Sequence, residues 1–166
     1  VIPDEPSTDE ETPDEEWKET FNFDTKEHKF REEGKIEAAN SRKKDEKNIK
    51  TSIRKEVSIA VSAFSNTSGG ILEIGKTDDG KISDYFQRDL TQYTNWDEYT
   101  RKIIEFIGVS THDNVFADSI QILNSPGQKD YLRLKIRKGK NPVFIHDKNT
   151  EEFYIRSKAA AKSQKL

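Results

Sequence analysis

The chain has no cysteine and no methionine among its 166 residues. Without cysteine there is no disulfide framework, no thiolate metal site and no cysteine nucleophile. That sets aside Cys-based zinc modules and favours a reducing compartment. Long apolar runs are missing too. No stretch approaches the roughly 18 apolar residues of a membrane span, and none has the apolar core of a signal peptide. Hydrophobic residues make up 31% of the chain, a low share for a globular protein. A modest core is expected, with part of the chain outside it. A chain that opens at Val1 and holds no methionine reads as a fragment or a processed form. The expectation is a protein of the cytoplasm or another intracellular space, with no membrane partner.

Positive charge is absent from residues 1 to 16, which hold eight acids and three prolines (Pro3, Pro6, Pro13). This leader has too little apolar surface to offset the entropy of ordering, so disorder is expected there. The chain carries 31 acidic residues; setting those eight aside leaves 23 against 28 Lys and Arg, a net of +5 for the remainder. A mildly basic body behind an acidic leader is compatible with a nucleic-acid partner. The expected organisation is a disordered acidic leader over 1–16, one domain over 17–160 and a basic tail over 161–166.

What is present points to α+β architecture. Trp17 to Phe30 is rich in aromatics and is expected to pack on the domain as a short helix or extended arm. Glu32 to Asn40 is ambiguous between strand and helix. From Asp45 to Phe64, apolar residues Ile49, Ile53, Val57, Ala60, Val61 and Phe64 recur at helical spacing. Lys47, Lys50, Arg54 and Lys55 lie off that stripe and read as a solvated face. Ser65 to Ser68 compete for backbone hydrogen bonds and end the helix. Gly69-Gly70 opens a short apolar strand through Ile74, Asp79-Gly80 turns the chain, and Lys81 to Tyr85 can return antiparallel. Thr94 or Asn95 can cap a second helix over Trp96 to Gly108. Strands are then expected at Val115 to Leu123, Tyr131 to Arg137, Pro142 to His146 and Phe153 to Arg156, with Ser125-Pro126-Gly127 turning between the first two. The fold class is α+β: a mixed, mostly antiparallel sheet with two main flanking helices.

Several chemistries are excluded by pattern. Gly69-Gly70 is followed by neither the Gly-Lys-Ser/Thr of a phosphate loop nor a helix N-terminus, so ATP hydrolysis is not indicated. His28, His112 and His146 lack metal-ligand spacing, and no Gly-x-Ser-x-Gly elbow exists. A row of basic residues is more informative. Arg133, Lys135 and Arg137 alternate with apolar residues along one strand, Lys138 and Lys140 extend the row, and Arg156 ends a later strand. With Tyr131 and Tyr154 nearby, this is the mix of charge and aromatics that a phosphate-tracking surface uses. The alternative is a solvated antiparallel face.

The central stretch Ala63-Phe64-Ser65-Asn66-Thr67-Ser68-Gly69-Gly70-Ile71-Leu72-Glu73-Ile74-Gly75-Lys76-Thr77-Asp78-Asp79-Gly80 resembles the Schlafen AlbA-like (divergent AAA-like) domain family. There a helix ends in Ala-Phe-Ala-Asn-Thr and leads through Gly-Gly and an apolar strand to Ile-Gly-Val-Asp-Asp-x-Gly. Lys138-Gly139-Lys140-Asn141-Pro142-Val143-Phe144 is similar to the family's basic turn into Pro-Val. Phe153-Tyr154-Ile155-Arg156 is similar to its aromatic-Ile-Arg ending. The family opens with Glu-x4-Glu-Phe-Lys, and Glu32 and Glu37 have that spacing, although Ala38 and Ala39 stand where it has Phe and Lys. Thr77 replaces one Asp of the turn. The resemblance implies a nucleic-acid-binding domain. Because some relatives cleave RNA with two glutamates and an aspartate, it also implies Glu32, Glu37 and Asp78 as the catalytic candidates, with Mg2+ or Mn2+ as the ion if the chain is a nuclease.

The leading expectation is a nucleic-acid-binding module without turnover, fit for a transcriptional regulator. It would grip DNA or RNA through Arg133, Lys135, Arg137, Lys138, Lys140 and Arg156. The alternatives are a metal-dependent endoribonuclease and a protein-interaction module that docks a partner through its N-terminal arm. Homo-oligomer formation is left open.

Overall fold

In the computed structural model, the structure describes residues 14–157 and 161–166. Most of the expected disordered leader, residues 1–13, lies outside them, as does 158–160. Residues 14–16 do not belong to a leader. Glu15–Lys18 is strand β1. Three helices follow: α1 (Thr25–Glu32), α2 (Ile36–Lys44) and α3 (Glu46–Asn66). Strand β2 (Gly70–Ile74) precedes α4 (Phe86–Leu90), α5 (Trp96–Thr111) and α6 (Asn114–Asp118). The chain ends in β3 (Gln121–Ile122), β4 (Leu132–Ile136), β5 (Phe144–Asp147), β6 (Thr150–Ser157) and β7 (Lys162–Lys165).

The strands make two sheets, ordered β1-β2-β4-β3 and β5-β6-β7. Only β1–β2 is parallel; the other pairings are antiparallel. This is the expected α+β class with mixed and antiparallel pairing, divided between two sheets.

Helix α3 is the spine. Its 21 residues span about 30 Å at 1.5 Å per residue. Val57, Ala60, Val61 and Phe64 join the main core with Leu72, Ile74, Leu132, Leu134 and Ile136 of the mixed sheet and Tyr99, Ile103 and Ile107 of α5. Ile59 and Ala63, four residues apart and so on one face, pack with Ile145 and Tyr154 of the second sheet. Residues 57–65 of α3 are therefore covered nearly all round, as a helix between two layers must be.

Polar side chains fix the junctions. Asn66 at the end of α3 donates from Nδ2 to the carbonyls of Val143 (2.8 Å) and Tyr154 (3.0 Å), and its Oδ1 accepts from Val143 N–H (2.8 Å). Thr67 Oγ1 accepts from Arg156 N–H at 2.8 Å. At the other end of the core, Asp89 accepts from the backbone N–H groups of Phe21, Asn22 and Phe23 and from the Tyr99 hydroxyl. Burial pushes the Asp89 carboxyl up, and these four donors oppose that shift. Asp89 thereby holds the aromatic segment after β1 onto the core.

Four local expectations change. Of the strand expected over Val115 to Leu123 only Gln121–Ile122 forms (β3), and residues 114–118 are helix α6 instead. Asp113 Oδ1 caps α6 by accepting from Phe116 N–H at 2.8 Å. Phe116, Ala117 and Ile120 are buried at helical spacing while Val115 is 84% exposed. Lys81 to Tyr85 does not return as a strand; a single bridge, Lys76↔Ile82, forms before Tyr85 leads into α4. The basic tail 161–166 is part of a sheet, because β7 pairs with β6 from Ser157↔Lys162 to Tyr154↔Lys165. Arg54 and Lys55 are not a solvated face either. Lys55 Nζ pairs with Asp147 (2.8 Å) and Glu152 (2.9 Å), and Arg54 turns toward Phe21. Asn95 caps α5, its Oδ1 accepting from Glu98 N–H at 2.9 Å.

Two outcomes are expected. Asn66→Ala leaves three backbone groups without their partner and lowers unfolding free energy by about 2–4 kcal/mol in urea titrations. The same change at exposed Asn48 is close to neutral. Lys55 and Lys165 hold the Glu152 carboxyl down to about 2. A depressed carboxylate contributes stability above its unfolded pKa and loses it as pH falls toward the folded value. Thermal stability should therefore drop between about pH 4.5 and about pH 2, and Lys55→Met should flatten that part of the profile.

Candidate nucleic-acid interface

Two stretches far apart in sequence meet at one end of the mixed sheet. The register Gly70↔Ile136, Ile71↔Lys135, Glu73↔Arg133 sets the start of β2 against the end of β4. Leu132, Leu134 and Ile136 face the core, so Arg133 and Lys135 take the other face. A groove of about 540 Å3 opens there, lined by Ser68, Gly69 and Gly70, by Lys135, Arg137 and Lys138, and by one acid, Asp14, which forms no ion pair with these cations.

The glycines of the groove have a backbone reason. Gly69 has φ +74°, and a Cβ there would sit 2.7 Å from the Ile136 carbonyl oxygen and 3.0 Å from Lys138 N. Only glycine allows both that conformation and that approach. The basic loop is tied down from the same junction, because Gly139 N–H donates to the Ser65 carbonyl at 2.9 Å. Helix end, glycine pair and basic loop form one unit.

The six expected binding residues divide into two groups. Lys135, Arg137, Lys138 and Lys140 stay together along the groove and its exit. Arg137, Lys138 and Lys140 are exposed and Lys135 is half-buried. Among the described residues, no carboxylate lies within ion-pair distance of these four. Arg133 is engaged. Its Nε lies 3.5 Å from Glu73 Oε2, and Glu73 also takes Lys76 Nζ at 3.1 Å. Lys76 in turn sits over the Tyr131 ring, 4.6 Å from its centre.

Arg156 is not part of an open surface. It is 3% exposed. Its guanidinium pairs with Glu16 and donates to the carbonyls of Glu15 and Ala161 at 3.0 Å each. It also covers the Phe64 ring, 4.6 Å from the centre. Arg156 joins β6 of the second sheet to β1 of the first, so its role is structural.

The three acids expected as catalytic stand on separate elements. Glu32 ends α1 and bonds His28 Nε2 at 2.8 Å. Glu37 lies exposed in the first turn of α2, and Asp78 is exposed in the turn after β2. Among the described residues no group of three His, Cys, Asp or Glu could hold a metal ion.

The fold and groove define an α+β domain with a cationic cleft at a sheet end. Over residues 11–164 the chain matches the model of the family described as Schlafen, AlbA_2, and it belongs to that family, which is generally associated with nucleic acid. Neither a curated protein nor a solved structure matches the chain.

The matched span begins at Glu11, and it holds a second stretch with the spacing of the opening motif. Glu11-x4-Glu16-Trp17-Lys18 reproduces Glu-x4-Glu-Phe-Lys with Trp for Phe, whereas Glu32 and Glu37 share only the spacing of the two acids. The complete Glu-aromatic-Lys triplet was the signal for it. Glu16 does not fit a metal ligand. One of its oxygens meets Arg156 and Ser163 and the other takes Lys18 Nζ at 3.1 Å. With Thr77 where the family has an aspartate, the described residues do not fit a divalent-ion site.

Arg156→Met should lower stability by about 2–4 kcal/mol, because it removes the guanidinium from a buried Glu16 and leaves only Lys18 to balance its charge. Nucleic-acid affinity per folded molecule should be unchanged. Denaturant unfolding and binding titrations on the same sample separate the two effects.

Proposed function

We propose that the protein binds DNA or RNA by its phosphate backbone in the groove between Gly69-Gly70 and Lys135–Lys138. The observation that carries this reading is the set of four cations, Lys135, Arg137, Lys138 and Lys140, with no internal carboxylate at ion-pair distance among the described residues. Such cations are free to exchange counterions for phosphates, which makes binding favourable and salt-dependent. The glycine pair lets β4 and the basic loop pack closely against the end of α3, which fixes where these cations stand. The family's association with nucleic acid supports the same reading. Every contact invoked is to phosphate, so affinity without marked base preference is expected. A binding module of this kind suits a regulatory protein and needs no turnover.

Fluorescence anisotropy with labelled single- and double-stranded DNA and RNA tests this. Affinity should fall linearly with salt on a log–log plot. The double variant Arg137→Glu, Lys138→Glu should reduce the slope by about 2 and weaken all sequences alike. Absence of binding to all four probes at low salt would sink the proposal. The same probes incubated with Mn2+ should remain uncut, since Glu16 is occupied by Arg156 and Lys18.

A further inference from the structure

A second cavity, of about 300 Å3, lies between α3 and α5 and shares no lining residue with the basic groove. Phe21, Tyr93 and Phe106 form its walls, and Lys102, Glu105 and Val109 surround it on α5. The walls are preformed. Phe21 meets Phe106 edge-on, with ring centres 5.8 Å apart, and Asp89 holds its backbone. Tyr93 meets the buried Tyr99 edge-on at 5.4 Å.

Arg54 supplies the charge. It stands three residues before Val57 and seven before Val61, on the stripe that α3 turns to the core. Its guanidinium lies 5.8 Å from the centre of the Phe21 ring, and its Nε is buried without a hydrogen-bond partner. The one acid lining the cavity, Glu105, is already paired with Arg101 (3.2 Å) and Lys102 (3.4 Å). Tyr93 is hydrogen-bonded to the Arg54 guanidinium, so Nε is the part of it left unmatched. Burial pushes the Tyr93 hydroxyl up, and the adjacent guanidinium opposes that shift.

A buried donor without an acceptor is costly, and native structures rarely leave one unmatched. A guanidinium accepts a carboxylate or a phosphate in a two-pronged grip. Aromatic walls accept a flat ring edge-on or offset. A volume of this size is at the small end for ligand pockets, which restricts the occupant to about one ring. We propose that this cavity binds a small ligand consisting of one flat ring bearing an anionic oxygen group, carboxylate or phosphate. The anion sits on Arg54 and the ring among Phe21, Tyr93 and Phe106. This site is independent of the nucleic-acid groove.

Titration of isotope-labelled full chain by amide NMR with benzoate, phenyl phosphate and benzyl alcohol tests it. Saturable shifts at Phe21, Arg54, Phe106 and Val109 are expected with at least one of the two anions. Benzoate alone assigns a carboxylate ligand and phenyl phosphate alone a phosphate. Benzyl alcohol should bind at least about tenfold more weakly, and Arg54→Met should lose about tenfold or more in anion affinity. Val109 is 71% exposed, so Val109→Trp can fill the mouth without disturbing the core. It should abolish the shifts even if Arg54→Met proves too unstable to study. Lys138→Glu should leave them unchanged. The proposal is overturned if neither anion gives saturable shifts, if the neutral ring binds as well as the anions, or if Val109→Trp has no effect.

Discussion

One side-chain amide ties the end of the central helix to the second sheet. Asn66 sits where α3 ends and satisfies both backbone groups of Val143 and the carbonyl of Tyr154. These groups lie at the entry to β5 and within β6. A residue with the same polarity but different reach would leave buried backbone groups unpaired, and that is where folding free energy is most easily lost. Thr67 repeats the device one residue later on Arg156. The geometry of the glycine pair and of the basic loop follows from this anchored helix end.

Charge in this molecule has two separate uses. Arg156 and Glu16 are buried against each other, and removal of either leaves the other's charge poorly compensated in a dry setting. Asp89 is also buried, but it is matched by four donors instead of a cation. Such groups specify which strands lie together. The cations of the groove hold nothing in place. Their side chains reach solvent, and this separates a surface that can exchange ions from a framework that cannot.

The long helices were legible in the sequence because apolar periodicity is a local signal, and α3 and α5 each carry it over many residues. The basic row on β4 was legible for the same reason, since Arg133 and Lys135 alternate with Leu132, Leu134 and Ile136. Strand β1 was hidden. It has only four residues, three of them charged, and its parallel partner is more than fifty residues away. The motif Glu16-Trp17-Lys18 was therefore counted partly with the acidic leader. Arg156 was misjudged because its burial depends on Glu16, 140 residues earlier. That glycine junction and basic row share a groove was also out of reach, because the β2–β4 register is a tertiary fact. Arg54 looked like one surface cation among several. Its setting depends on Phe21 and Phe106, which come from other elements.

The basic row is not a flexible brush. Lys135 is fixed between cross-strand neighbours Ile71 and Gln121, and the loop beyond it is tied to Ser65 through Gly139. Of the four groove cations only Lys135 lies in a strand, so the sheet on one side and the Gly139 tether on the other set where along a polyanion the cations touch before any contact is made.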